Sequence, residues 1–186
     1  MTKEEKIRRF EEMNKEVVPG QIVCAGSSLM EMFPVEELVR EKQIHMTIYN
    51  RGVGGFITDE LGINDLSYPD IPIAQMIDHY DQILCQVKAA LPDVKLYLMA
   101  YYPVNYDAAT EEMKPCLLVR TNPKIAEANA AVKKLAEKYH AKYMDINDPL
   151  KDENGNLKAE YTIEGMHIKE EGYRAIFPEF IRYAME

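Results

Sequence analysis

A serine near the start of the chain has the sequence surroundings of a nucleophile. Ser28 follows the short apolar run 22–25 through the turn Gly26-Ser27, so it is predicted to project from the end of a buried strand. Its backbone N–H would then lie near a helix N-terminus, where an oxyanion is stabilised. The alternative interpretation is that Ser27 or Ser28 only caps that helix.

A histidine near the end of the chain has a carboxylate placed to orient it. A serine hydroxyl needs a base within hydrogen-bond reach, and the imidazole needs an acceptor on its second nitrogen. Glu164 precedes His167 by three residues, across Gly165, and can fold back onto Nδ1 within one short loop. Taken alone this pair is weak evidence, because a surface histidine beside a charged helix start has the same pattern. The spacing does not match a zinc motif of the H-E-x-x-H type.

Two further segments supply candidate donors for an oxyanion. Residues 50–55 contain three glycines in four positions, which allow a backbone N–H to approach a ligand closely. Residues 62–65 read G-I-N-D, and the side-chain amide of Asn64 can donate to developing negative charge. Each segment by itself is also typical of a turn. A phosphate loop is not indicated, because no Gly-Lys-Ser/Thr follows and the G-x-G-x-x-G spacing is absent.

Short apolar runs alternate with amphipathic stretches, which predicts a parallel sheet covered by helices on both faces. Ligands of such sheets bind beyond the carboxyl ends of the strands, which points to residues 26–28, 50–55 and 101–104 and to the turn after Asp145. A long loop is predicted over 106–121, with Asn122 capping the helix that Pro123 opens. The final helix carries Pro178 as a candidate interruption. Strands are predicted at 22–25, 47–49, 94–100 and 142–145, and the other helices at 3–16, 35–40 and 73–91.

Length and composition limit the classes of protein to which this chain can belong. The 186 residues fit one domain, and a net charge of −9 argues against a nucleic-acid or anionic-membrane partner. No stretch approaches the roughly 20 apolar residues that span a bilayer, and the charged N-terminus does not resemble a secretory signal. The three cysteines are spaced for neither a zinc site nor a disulfide framework. We therefore expect a soluble, cytoplasmic protein, and homo-oligomer formation stays open.

Taken together and in order, these segments resemble the SGNH hydrolases, also called GDSL-like lipases or acylhydrolases. The segment 26–29 resembles the G-D-S-L block, with Ser28 at the nucleophile position. The segment 50–55 resembles the glycine block, in which Gly55 is the residue whose N–H binds the oxyanion. The segment 62–65 resembles the G-x-N-D block, with Asn64 as the side-chain donor. The segment 164–167 resembles the D-x-x-H block, with His167 as base and Glu164 replacing the usual aspartate.

The resemblance implies a three-layer α/β/α sandwich with a flavodoxin-like parallel sheet, formed as one domain over residues 1–186. It also implies hydrolysis of a small acyl ester through an acyl-enzyme, with no metal or organic cofactor. The N–H groups of Ser28 and Gly55 and the amide of Asn64 would hold the oxyanion. Met30 and Tyr102 are candidates for the wall of the acyl pocket. An acetylated carbohydrate is one candidate substrate by analogy with the fold.

One spacing departs from that family. Only six residues separate Gly55 from Gly62, whereas the corresponding blocks end adjacent parallel strands that need a crossover of roughly a dozen residues or more. Either the chain carries an internal deletion, or a segment between Gly55 and Gly62 is absent from this sequence. We favour the second, since a domain without a central strand would expose two sheet edges.

Two other functions stay open at this stage. The glutamate in place of the usual aspartate and the short spacing between Gly55 and Gly62 favour one alternative, a non-catalytic ligand-binding module on the same fold. A flavodoxin-like nucleotide or flavin binder would suit the topology, but it leaves the Glu164–His167 pair unexplained.

Overall fold

Two pairs of parallel strands form the centre of the molecule, as the computed structural model describes it for residues 1–55 and 64–186. Strand β1 (Ile22–Gly26) pairs with β2 (Ile48–Gly52), and β3 (Tyr97–Met99) pairs with β4 (Lys142–Met144). Strand β2 runs on to Gly52, three residues beyond the predicted end, because it pairs with β1 up to Gly26. The predicted α/β class with parallel strands is confirmed.

Seven α-helices and four short 3₁₀ turns accompany these strands in the described part of the chain. No helix there combines the length and the apolar content needed to cross a bilayer. The helices are α1 (Lys3–Met13), α2 (Ser28–Glu31), α3 (Val35–Glu41), α4 (Ile73–Ala90), α5 (Lys114–Val119), α6 (Asn122–Lys138) and α7 (Glu170–Ala184). The 3₁₀ turns are Asn14–Glu16, Asn64–Ser67, Asp148–Leu150 and Ala159–Tyr161.

Three local predictions need correction. The predicted loop 106–121 contains helix α5, whose sequence has no clear helical period. The helix forms because Leu117 is buried in a core cluster.

The cap of α6 is Thr121, whose Oγ1 accepts from the N–H of Lys124 at 3.3 Å. The side chain of Asn122 instead bonds both the N–H and the C=O of Val104, at 2.8 and 2.9 Å. Helix α7 runs through Pro178 without a break, held by apolar residues on either side.

Side chains of β3 alternate between two core clusters, which gives the three layers. Leu98 packs with residues of α4 and α6, including Leu84 and Val132. Its neighbours Tyr97 and Met99 pack on the opposite side, in the cluster that contains α3 and α7. Helices therefore cover both faces of this pair of strands, as the resemblance implies.

The two strand pairs are separate hydrogen-bonded sheets within the described residues. On β1, Cys24 is buried, but the neighbouring Val23 is 61% exposed. Among residues 1–55 and 64–186, nothing therefore covers one face of β1 as α4 and α6 cover β3. The predicted deletion or missing segment between Gly55 and Gly62 falls on residues 56–63, which lie outside the described residues.

A buried tyrosine ties helix α7 to the short helix α2. The hydroxyl of Tyr173, which is 1% exposed, donates to the carbonyl of Leu29 at 2.6 Å. Phe33 stacks on the same ring with a centroid distance of 5.1 Å. Because Ser28 precedes Leu29, this contact also fixes the helix that carries the candidate nucleophile.

Replacing Tyr173 by phenylalanine is expected to destabilise the protein by about 1–3 kcal/mol, because the buried carbonyl of Leu29 loses its donor. Urea denaturation measures the change. Tyr68→Phe is the matched control, since Tyr68 is 51% exposed, and it should be nearly neutral. Equal stability of the two variants would show that the Tyr173 hydroxyl contributes nothing.

The thiol of Cys24 makes stability depend on alkaline pH. Burial, helped by the nearby charge of Glu36, raises its pKa from 9.0 to about 12. The unfolded thiol therefore ionises first, and stability is lost as pH rises from about 9 towards 12. Between pH 8 and 10 the loss should be about 1 kcal/mol smaller in Cys24→Val than in wild type. In Cys85→Val, where the thiol is exposed, the pH dependence should be that of wild type.

Candidate active site

Ser28, His167 and Glu164 form a continuous chain of polar contacts. Ser28 Oγ lies 3.0 Å from His167 Nε2, and His167 Nδ1 lies 2.6 Å from Glu164 Oε1. The same carboxylate oxygen accepts the backbone N–H of His167 at 3.1 Å. A neutral imidazole protonated at Nδ1 would donate to Glu164 and accept from Ser28, which is the arrangement that activates a serine hydroxyl.

The end of β1 positions Ser28. The strand ends at Gly26, whose carbonyl accepts the N–H of Val53 at 2.8 Å. Ser27 is the N-cap of α2 and is 4% exposed, but its side chain makes no capping bond. Ser28 is therefore the first residue of α2, at the carboxyl end of a strand. The capping interpretation applies to Ser27 by position, and it leaves the Ser28 hydroxyl for His167.

A tight loop holds Glu164 and His167, and its geometry depends on a threonine and a glycine. Thr162 Oγ1 accepts the N–H of Gly165 at 2.7 Å and donates to the carbonyl of His167 at 3.1 Å. Gly165 has φ +103°, a conformation that side-chain-bearing residues rarely adopt. Its carbonyl accepts the N–H of Asn105 at 2.8 Å, which ties the loop to the segment after β3.

Glycines let the end of β2 pass close to α2. A Cβ atom on Gly52 would lie 2.2 Å from the backbone nitrogen of Glu31, so only glycine fits there. A Cβ atom on Gly54 would lie 3.6 Å from Cβ of Ser28. Gly55 follows with φ +86°. The glycine segment therefore lies beside the candidate nucleophile, and the use of the Gly55 N–H for an oxyanion stays a prediction.

Asn64 begins the 3₁₀ turn Asn64–Ser67. Leu66 of this turn packs in the same cluster as Met166, the neighbour of His167. Lys124 donates to the carbonyl of Leu66 at 3.0 Å and fixes the turn to α6. The turn therefore shares a core cluster with the neighbour of His167, and the role of the Asn64 amide as an oxyanion donor stays a prediction.

Of the two candidates for the acyl pocket, one belongs to the main core cluster and the other packs against it. Tyr102 is 6% exposed, and burial raises its pKa well above the usual value. Met30 is partly buried against the same cluster, and its carbonyl accepts from Asn50 Nδ2 at 2.7 Å. Their part in a substrate pocket stays a prediction.

A separate cavity of about 350 Å³ lies beyond the ends of β3 and β4. Tyr101, Asn129, Asp145 and Asn147 are among its lining residues, and the three residues of the polar chain are not. The side chain of Asn129 bonds both the N–H and the C=O of Tyr101, so it is committed to the backbone. We therefore place the candidate chemistry at Ser28 rather than in this cavity.

Sequence reasoning missed the residues that support the site. Thr162 and Asn105 act on the loop that holds His167, and Glu31 accepts the N–H of Gly54 at 2.7 Å. Thr162 lies two residues before Glu164, and Glu31 lies three residues after Ser28. This closeness in sequence could have identified both as candidate supporting residues. Asn105 carries no such signal, because its contact depends on the tertiary fold.

The chain belongs to the GDSL-like lipase/acylhydrolase family, whose model matches residues 33–175. It is thus a hydrolase of the esterase and acylhydrolase kind. The matched range contains Gly55, Asn64, Glu164 and His167 but begins after Ser28. The place of Ser28 at the site therefore rests on its sequence surroundings and on its contact with His167. No match was found among curated proteins.

Solved structures share the fold over nearly the whole chain. A Streptococcus pneumoniae protein named as a candidate platelet activating factor is 28% identical, with a TM-score of 0.85, covering 97% of this chain and 92% of its own. A candidate acylhydrolase from Bacteroides fragilis is 19% identical, with a TM-score of 0.74 and coverages of 95% and 94%. An acetyl xylan esterase is 13% identical, with a TM-score of 0.67 and coverages of 88% and 98%.

Gly165→Ala is expected to destabilise the protein by about 2–5 kcal/mol, because it combines a strained φ with a Cβ atom only 2.7 Å from the carbonyl oxygen of Asn105. Gly20→Ala is the matched control, since Gly20 has φ +81° with nothing within 4 Å. It should cost about 1–2 kcal/mol. Urea denaturation compares them, and equal costs would exclude the close contact as a cause.

Proposed function

We propose that the chain is a serine ester hydrolase that acts through an acyl-enzyme. The observation that carries the proposal is the chain of contacts from Ser28 through His167 to Glu164, at 3.0 and 2.6 Å. Ser28 Oγ attacks the ester carbonyl while its proton moves to His167 Nε2. The imidazolium returns this proton to the leaving alcohol. Water then attacks the acyl-enzyme with His167 as base, which releases the carboxylic acid and restores the serine.

Glu164 orients the imidazole and stabilises its charged form. The carboxylate contacts both Nδ1 and the backbone N–H of His167, so it fixes the ring and the tautomer together. A glutamate reaches Nδ1 here despite its extra methylene, because the loop folds over Gly165. Its side chain is only 15% exposed, which limits competition by water for the carboxylate.

The oxyanion is assigned to three donors by the family resemblance. These are the backbone N–H groups of Ser28 and Gly55 and the side-chain amide of Asn64. The nearness of the glycine segment to Ser28 and the packing of the Asn64 turn in the core cluster that contains Met166 support this assignment. Donors fixed before the reaction stabilise the tetrahedral intermediate without reorganisation.

The proposed substrate is a small acyl ester, and an acetylated carbohydrate is the first candidate. Support for the acetyl group comes from the shared fold of an acetyl xylan esterase, which is fold-level analogy. A screen of p-nitrophenyl esters from acetyl to longer acyl chains, followed by acetylated oligosaccharides, tests this choice.

Ser28→Ala and His167→Gln are expected to lower the hydrolysis of p-nitrophenyl acetate by about 10³-fold or more, because each removes the activated nucleophile. Glu164→Gln should cost about 10²-fold or more, since it permits the wrong tautomer. His45→Gln, at an exposed histidine, is the matched control and should keep the wild-type rate.

Labelling by a fluorophosphonate, detected by intact mass, should require Ser28. Equal hydrolysis by wild type and Ser28→Ala would overturn the serine mechanism. That result would favour the alternative of a non-catalytic ligand-binding module on the same fold.

A further inference from the structure

Three groups from different elements meet at the glycine segment, and all three are partly exposed to solvent. Glu31, the last residue of α2, accepts the N–H of Gly54 through Oε2 at 2.7 Å. Its other oxygen, Oε1, lies 2.6 Å from Nζ of Lys6 on helix α1. One carboxylate therefore bridges the N-terminal helix and the segment that follows β2.

This bridge lies next to the candidate nucleophile. A Cβ atom on Gly54 would lie 2.6 Å from Glu31 Oε2, 3.6 Å from Ser28 Cβ and 3.8 Å from Lys6 Nζ. The three side chains thus surround one glycine. Glu31 occupies the N–H of Gly54, so the amide of Gly55 is the next one along the segment, and the bond restrains the backbone that leads to it.

The charge of Glu31 needs a counter-charge at this place. A carboxylate close to Ser28 would repel the oxyanion that forms when the serine attacks an ester. Lys6 supplies the counter-charge, and its side chain is 24% exposed against 34% for Glu31. Partial burial reduces screening of the pair by water and salt.

A purely structural role explains this ion pair less well. Helix α1 buries none of its residues. It is also held by Arg51, which contacts the ring of Phe10 at 5.2 Å and donates to Asn14 Oδ1 at 2.9 Å. Because Arg51 holds the helix independently, docking of α1 does not depend on the Lys6–Glu31 pair alone.

We infer that Glu31 and Lys6 are positioning residues for the oxyanion hole: Glu31 fixes the Gly54–Gly55 backbone, and Lys6 neutralises the carboxylate that does so. The inference rests on the proposed ester hydrolysis at Ser28. It adds to that reaction two residues outside the triad and the oxyanion donors. It also assigns the N-terminal helix a part in catalysis.

Steady-state hydrolysis of p-nitrophenyl acetate by the full chain tests the inference. Glu31→Ala should lower kcat by about 10-fold or more with little change in KM, because an oxyanion donor is misdirected. Lys6→Met should lower kcat by about 3- to 10-fold, since the carboxylate loses its counter-charge. The double variant Lys6→Met/Glu31→Gln, which keeps an acceptor but no charge, should regain most of that loss.

Lys138→Met is the matched control, because Lys138 makes a 2.6 Å ion pair between α6 and α4 with Asp81. It should keep the wild-type kcat. If Glu31→Ala keeps the wild-type kcat while Ser28→Ala is inactive, the inference is wrong and the proposed function stands. If Ser28→Ala is as active as wild type, the proposed function is wrong and the assigned role falls with it.

A second measurement does not depend on activity. In protein labelled with ¹⁵N-glycine, nine glycines give a spectrum simple enough to assign. Glu31→Ala should remove the protection of the Gly54 amide from exchange and shift the Gly55 resonance, while the signals of Gly155 and Gly172 stay in place. Unchanged Gly54 and Gly55 signals in this folded variant would overturn the inference.

Discussion

The hydrogen bond between Ser28 and His167 joins residues that are 139 positions apart in the chain. Such a contact survives only if both ends are held, because ordering two side chains costs conformational entropy. On one end, Tyr173 and the core fix the short helix that begins at Ser28. On the other, Thr162 and Glu164 fix the loop that carries His167. The site is therefore a joint property of the first and last quarters of the chain.

Close approach of backbones is the second requirement, and glycine meets it at two places. Gly52 allows β2 to touch the backbone of α2, and Gly165 allows the histidine loop to touch Asn105. A side chain at either position would separate the elements by more than a hydrogen bond tolerates. Backbone packing thus sets the distances within the candidate site, and the side chains of Ser28, His167 and Glu164 complete the chain of contacts.

Two strand pairs carry these contacts, and each pair has a different environment. The pair β3 and β4 has helices on both faces, whereas β1 exposes Val23 on one face. Ser28 follows the less covered pair, yet its position is held by α2, Tyr173 and the glycine segment rather than by a covered sheet. The Glu31–Lys6 bridge adds a polar support on this side of the molecule.

The sequence alone determined the class of fold and the order of its elements, because apolar periodicity and turn residues act locally. It also determined the pairing of Glu164 with His167, which three residues of spacing bring within reach, and the position of Ser28 after a strand. Only the tertiary structure decided that Ser28 meets His167, that α5 forms around Leu117, and that Thr121 rather than Asn122 caps α6. It also brought Lys6 to Glu31 and Asn105 to Gly165. The cap is a local contact, but Asn122 is drawn away from it by Val104, 18 positions earlier. The other contacts between side chains and loops join residues distant in sequence, so no local pattern encodes them, and they form only when the elements pack together.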